Sequence, residues 1–135
     1  MSEIDITLEW LTGRFAVCRF DPSASTPGWA LAGGGFVSIT HSERELSIVA
    51  AESIVPAEVT AERGWAVMRV VGKLDFSIVG LLAKLTGALA EAGISCFAIS
   101  TYDTDYILVK EVDADRAEQA IGNVAQLQKR SEDSL

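Results

Sequence analysis

Two short stretches of the chain carry the residue types that could hold a small charged molecule. The first is Ile99-Ser-Thr-Tyr-Asp-Thr-Asp-Tyr-Ile-Leu-Val-Lys110, which reads as a strand, a polar turn and a second strand. Threonines, tyrosines and two aspartates crowd its turn. The second is Gly72-Lys-Leu-Asp-Phe-Ser-Ile-Val-Gly80, a loop that opens an apolar helix. A helix start offers unpaired N–H donors and the positive end of a dipole to a carboxylate. A carboxylate such as Asp105 accepts from an ammonium group through charge-assisted hydrogen bonds. Together they suit a zwitterion, which points to holding an amino acid rather than to chemistry on one.

Each stretch also has a plainer reading. In the loop, Asp75 or Ser77 serves as an N-cap and Gly80 permits close helix–sheet packing. In the turn, threonines and aspartates cap an ordinary polar hairpin. Asp103 and Asp105 also form a D-x-D pair, which invites a Mg²⁺ or phosphotransfer reading. No second acidic cluster and no phosphate-binding glycine loop supports it. His41 is the single histidine, which excludes most triads and multi-histidine metal sites. No catalytic residue, metal ligand or cofactor is expected.

Several elements must position these residues. Ile4, Ile6, Leu8 and Trp10 alternate with polar partners, the period of a half-buried strand. Thr12-Gly13 marks a tight turn and Arg14–Phe20 a returning strand. Residues 21–35, with Pro22, Pro27 and three consecutive glycines, leave room only for a short helix. Strands at Phe36–Thr40 and Glu45–Ala50 flank a charged turn, and 56–64 reads as a connection. Trp65–Val71 is a strand. Ile78, Leu81, Leu82, Leu85, Leu89 and Ala92 then recur at helical spacing, and Gly93 stands where a C-cap glycine belongs. Strands at 94–100 and 105–111 precede a last helix, capped by Asp113, with Ala117, Ala120, Ile121, Val124 and Leu127 inward. Trp10, Trp29 and Trp65 read as core or interface anchors.

The halves resemble each other. Arg14-Phe-Ala-Val-Cys-Arg-Phe20 aligns with Gly64-Trp-Ala-Val-Met-Arg-Val70 at an offset of 50, and Thr40–Ile48 with Thr101–Val109 at an offset of 61. The difference is about three helical turns, so the first half carries a shortened connection where the second has a full helix. Strand, helix, strand, strand, helix is the order of a ferredoxin-like unit. The expected class is α+β, with two tandem βαββαβ subdomains at 1–60 and 61–130 and a frayed tail at 131–135.

Composition narrows the function. Nineteen acidic residues against eleven basic ones give a net charge of −8, with the basic residues scattered. Nucleic acid and anionic membrane surfaces are therefore poor partners, since both need a basic patch. No run is long and apolar enough to span a bilayer as a helix. Cys18 and Cys96 lack metal spacing and read as reduced, buried thiols, and the expected compartment is the cytoplasm.

In these phrases, joined by Leu85-Thr-Gly-Ala-Leu-Ala-Glu-Ala-Gly-Ile94, the chain resembles ACT domains. The likeness is to tandem, aspartokinase-type ACT proteins, a group that includes the CASTOR-type arginine sensors. It covers 64–128 well and 12–56 more loosely. It implies a non-enzymatic regulatory protein that holds a small amino acid at an ACT–ACT interface, pairs as a homodimer and acts on a regulated enzyme or other protein. Carried over position by position, the ligand-facing residues are Ser77, Ile78, Val79 and Gly80 in the loop, and Thr101, Tyr102, Thr104 and Asp105 in the turn. His41, Ser42 and Arg44 stand at the matching turn of the first half, which puts an equivalent second site in doubt. The alternative is an ACT-type dimerisation or docking module with no small ligand.

Overall fold

Two-residue alternation and helical periodicity resolve into eight strands and three helices, in a computed structural model that describes residues 6–71 and 80–128. In chain order these are β1 (Thr7–Trp10), β2 (Phe15–Phe20), α1 (Trp29–Ala32), β3 (Ser38–His41), β4 (Leu46–Ala51), β5 (Ala61–Val70), α2 (Leu81–Glu91), β6 (Cys96–Ser100), β7 (Asp105–Lys110), α3 (Ala114–Gly122) and β8 (Gln126–Leu127). The expected tail at 131–135 lies outside the described residues. Contacts divide the chain into two units. One is residues 13–65; the other is residues 66 onward joined by those before 13.

In the unit of residues 13–65, β4 pairs antiparallel with both β2 and β3, and β2 pairs with the first half of β5. That is the ferredoxin order, but both crossover helices have shrunk. The first is the single turn α1, held between Pro27 and a run of glycines. The second is replaced by a three-residue 3-10 turn at Glu52–Ile54. Strand β5 begins at Ala61, inside the stretch expected to be a connection. Its register against β2 slips between Phe15–Trp65 and Val17–Glu62, leaving one extra residue on β5. Gly64 sits in that bulge at φ +81, where a glycine has no Cβ to strain. The Glu52 carboxylate accepts its N–H. Ala16, Cys18, Leu46, Ile48 and Ala50 form the core, with Trp29 tilted against Phe20 at 6.3 Å between ring centroids. His41 Nε2 donates to the Pro22 carbonyl at 2.9 Å, so the turn histidine has a backbone partner.

The other unit is a ferredoxin-like βαββαβ run from β5 to β8 with one strand added. The N-terminal β1 does not form a hairpin with β2, as the tight turn at Thr12-Gly13 suggested. It lies antiparallel to β5, with Leu8 opposite Val70 and Glu9 opposite Arg69, and parallel to β8. The order is β6-β7-β5-β1-β8. Read from sequence as the start of the 1–60 half, β1 thus belongs to the same unit as residues 66 onward. Leu8, Met68, Val70, Leu81, Leu85, Leu89, Ile107, Val109, Ala117 and Ile121 form its core. Leu81, Leu85 and Leu89 recur every four residues and so share the inward stripe of α2. The helix ends on Gly93 at φ +74: the Ile94 N–H bonds the Leu89 carbonyl and the Gly93 N–H the Ala90 carbonyl, the paired bonds of a Schellman cap. Asp113 does occupy the N-cap of α3, but its side chain makes no cap bond. It accepts instead from Arg116 Nη1 at 3.1 Å, while Arg116 Nη2 donates to the Ala92 carbonyl at the end of α2. Trp10 Nε1 donates to Glu118 Oε1 at 2.8 Å, fastening β1 to α3.

Candidate functional site

The turn between β6 and β7 is the best-organised polar feature of the chain. Ser100 and Asp105 close it as the last paired residues of the two strands. Inside, the Thr101 N–H donates to the Thr104 carbonyl at 2.8 Å. The Thr101 hydroxyl donates to the same carbonyl at 3.1 Å and accepts from the Thr104 N–H at 3.2 Å. Such side chain–backbone bonds are why threonine favours tight turns. The turn is also anchored outward: Thr104, only 8% exposed, donates its hydroxyl to the Val70 carbonyl at 2.9 Å. Val70 ends β5, just before the undescribed residues 72–79. The topology therefore delivers the polar turn to the C-terminal end of β5.

Of the eight candidate residues, Ser77, Ile78 and Val79 lie outside the described residues. Gly80 is the N-cap of α2 at φ +80, with no side-chain cap; neither Asp75 nor Ser77 holds that position. The early N–H groups of α2 thus meet no capping side chain from Gly80, the condition under which a helix start accepts an external anion. Thr101 and Thr104 spend their hydroxyls on backbone groups of the chain. Tyr102 projects outward, 76% exposed. Asp105 is half-buried, and its Oδ1 accepts from the Ser100 hydroxyl at 2.6 Å. A carboxylate has about four acceptor positions, so this bond orients Asp105 while leaving room for another donor.

Sequence reasoning missed the neighbours of the turn. A depression of about 300 Å³ beside it is lined by Glu9, Arg69, Val70, Val71, Asp103, Thr104 and Tyr106. Glu9 and Arg69 face each other across β1 and β5 and form an ion pair. Hydrogen bonding to Glu9 first, and then to Tyr106, holds the Arg69 guanidinium above its ordinary pKa. The available signal was a charge of opposite sign in each of two apolar strands, which marks a cross-strand pair once the strands are known to be neighbours. A larger groove, about 580 Å³, runs between α2 and α3 and shares no lining residue with this depression. Among the described residues no group of three or more His, Cys, Asp or Glu side chains is placed to hold a metal ion.

Comparison with known proteins adds a family. Residues 60–123 match the ACT domain model, and residues 13–58 match a separate model for an N-terminal domain. The cytosolic arginine sensor for mTORC1, subunit 1, of Bos taurus is 36% identical over 72 residues, which is 53% of this chain and 20% of that protein. The human counterpart is 35% identical over the same length. The chain thus spans about a fifth of the length of these curated relatives. Among solved structures, a protein from Agrobacterium tumefaciens is 32% identical, with a TM-score of 0.87 over 95% of this chain and 96% of its own. The aspartate kinase of Clostridium acetobutylicum shares the fold at 14% identity, with a TM-score of 0.70 over 92% of this chain and 35% of the kinase.

Proposed function

We propose that this chain, whose residues 60–123 match the ACT domain model, is a regulatory, non-catalytic protein that binds a small amino acid. The ligand carboxylate is taken by N–H groups around residues 77–80 and the start of α2, and its ammonium group by Asp105. Thr101, Tyr102 and Thr104 shape the turn that presents Asp105. The observation that carries this is the Thr104–Val70 hydrogen bond, which fixes the carboxylate-bearing turn beside the end of β5. The relative whose printed name is a cytosolic arginine sensor for mTORC1 supports amino-acid binding, a cytosolic location and action on another protein assembly; the ligand lies at an ACT–ACT interface. By linkage, the ligand regulates only as far as its affinities for two states of the protein differ.

Titration calorimetry against the twenty amino acids, followed by Asp105→Ala on any that bind, tests the site. A hydrogen bond between charged groups contributes about 1.5–3 kcal/mol, so the variant should bind roughly ten- to hundredfold more weakly. Unchanged affinity would remove Asp105 from the site.

A second reading, a dimerisation or docking module without a small ligand, draws on β6. Among the described residues this strand pairs only with β7, and Phe97 on it is 37% exposed. An open strand edge invites another chain. Silence of the protein toward every amino acid would favour it.

A further inference from the structure

Arg69 stands in the middle of three neighbouring strands, with β1 on one side of β5 and β7 on the other. It pairs with Glu9 on β1 and hydrogen-bonds Tyr106 on β7, so one guanidinium spans all three. Successive side chains on a strand point to opposite faces of the sheet. Leu8, Val70 and Ile107, each one position along from these residues, belong to the core shared with α2 and α3. Glu9, Arg69 and Tyr106 therefore form a row on the other face. The row lies beside the polar turn: Arg69 precedes Val70, whose carbonyl accepts from Thr104, and Tyr106 follows Asp105.

From this row we propose that Arg69 is a positioning residue: by bridging Glu9 and Tyr106 it fixes the start of β7 against β5 and so holds Asp105 in place for a ligand's ammonium group. What Asp105 does there rests on the ligand reading above; what holds it rests on the row alone. Tyr106 and Asp105 point to opposite faces of β7, so the tyrosine acts through the strand and not by touching the bound molecule. Arginine suits this task, because its planar fork of five N–H donors serves two partners at once, whereas lysine is a point charge on a flexible stem. The N-terminal strand β1, which carries none of the candidate ligand residues, thereby bears on the site through Glu9.

Hydrogen exchange of the protein with no amino acid added tests the positioning. The Thr101 and Thr104 amides report on the turn, since both are bonded inside it; the Leu85 and Leu89 amides report on α2. Tyr106→Phe removes one hydroxyl and should speed exchange at the two threonines about two- to tenfold, the net worth of one hydrogen bond. Exchange at Leu85 and Leu89 should not change, which a general loss of stability would not allow. Arg69→Met should speed the same two threonines, and adding Tyr106→Phe to it should do nothing more, because the tyrosine has already lost its partner. Glu9→Gln, on β1, should also speed them. An unchanged turn in Tyr106→Phe or Glu9→Gln, equal acceleration in α2, or a full Tyr106→Phe effect on top of Arg69→Met would each overturn the proposal. Calorimetry with the twenty amino acids reads affinity separately: any that binds the unaltered protein should bind Tyr106→Phe more weakly by a similar factor, and equal affinity would also overturn it. If no amino acid binds, the ligand reading fails, while exchange at Thr101 and Thr104 still decides whether Arg69 holds the turn.

Discussion

At the scale of single residues, the β6–β7 turn is built from hydroxyls that serve the backbone and a half-buried carboxylate, Asp105, that accepts from Ser100. Thr104 is the clearest case, because its hydroxyl is buried against the Val70 carbonyl. Thr104→Val keeps the shape and leaves that carbonyl without its donor, so it should cost about 1–3 kcal/mol. Tyr102→Ala, at an exposed position, should stay within about 0.5 kcal/mol of the unaltered protein; denaturant unfolding of both variants checks the contrast. The thiols offer a second check. Burial pushes the Cys18 thiol up, with Arg63 opposing, and burial pushes up Cys96 as well. Cys18 is buried and Cys96 half-buried. At pH 8, a thiol reagent should therefore modify Cys96 first and Cys18 only on unfolding, and equal rates in the native protein would contradict the packing. Asp105 and Thr104 were legible in the sequence as polar residues in a turn between apolar strands. The Glu9–Arg69 pair was not, since nothing local shows that positions sixty residues apart face each other.

Elements follow local rules where the periodicity is long and lose them where the chain bends. Helix α2 was readable from its leucines and from Gly93, and the structure shows the cap that the glycine makes possible. Two glycines in that region should respond oppositely to one substitution. Gly93→Ala puts a Cβ on a left-handed residue and should destabilise by about 1–2 kcal/mol. Gly87→Ala sits at a regular helical position with open space around it and should stabilise the isolated chain by about 1 kcal/mol. Thermal unfolding that moved both the same way would contradict these backbone assignments. The start of β5 was hidden because Ala61-Glu-Arg-Gly64 is polar and broken by the bulge at Gly64. Asp113 was placed correctly at the head of α3, yet its carboxylate pairs with Arg116 rather than capping the helix. Position in sequence locates a cap residue; the neighbouring guanidinium decides what it bonds.

Over the whole molecule, the chain departs from a simple tandem repeat at its first strand. β1 is separated by fifty residues from β5, and it nevertheless lies between β5 and β8. Its alternation announced a strand, but alternation fixes which side chains share a face and not which strand will be the neighbour. Leu8 is wholly buried in the same core as Leu85 and Ile107. Leu8→Ala should therefore cost about 2–5 kcal/mol. Its effect should appear as lost hydrogen-exchange protection in β5 from Ala66 onward, β7 and α2. Loss confined to residues 13–65 would mean that β1 packs elsewhere. The ligand reading rests on the same unit, because its turn is tied to the end of β5. Calorimetric titration with the twenty amino acids, on the unaltered protein and on Asp105→Ala side by side, tests it most directly. Selective binding of an amino acid, weakened at least tenfold in the variant, is the expected result. No heat from any amino acid, or equal affinity in the two proteins, would contradict it.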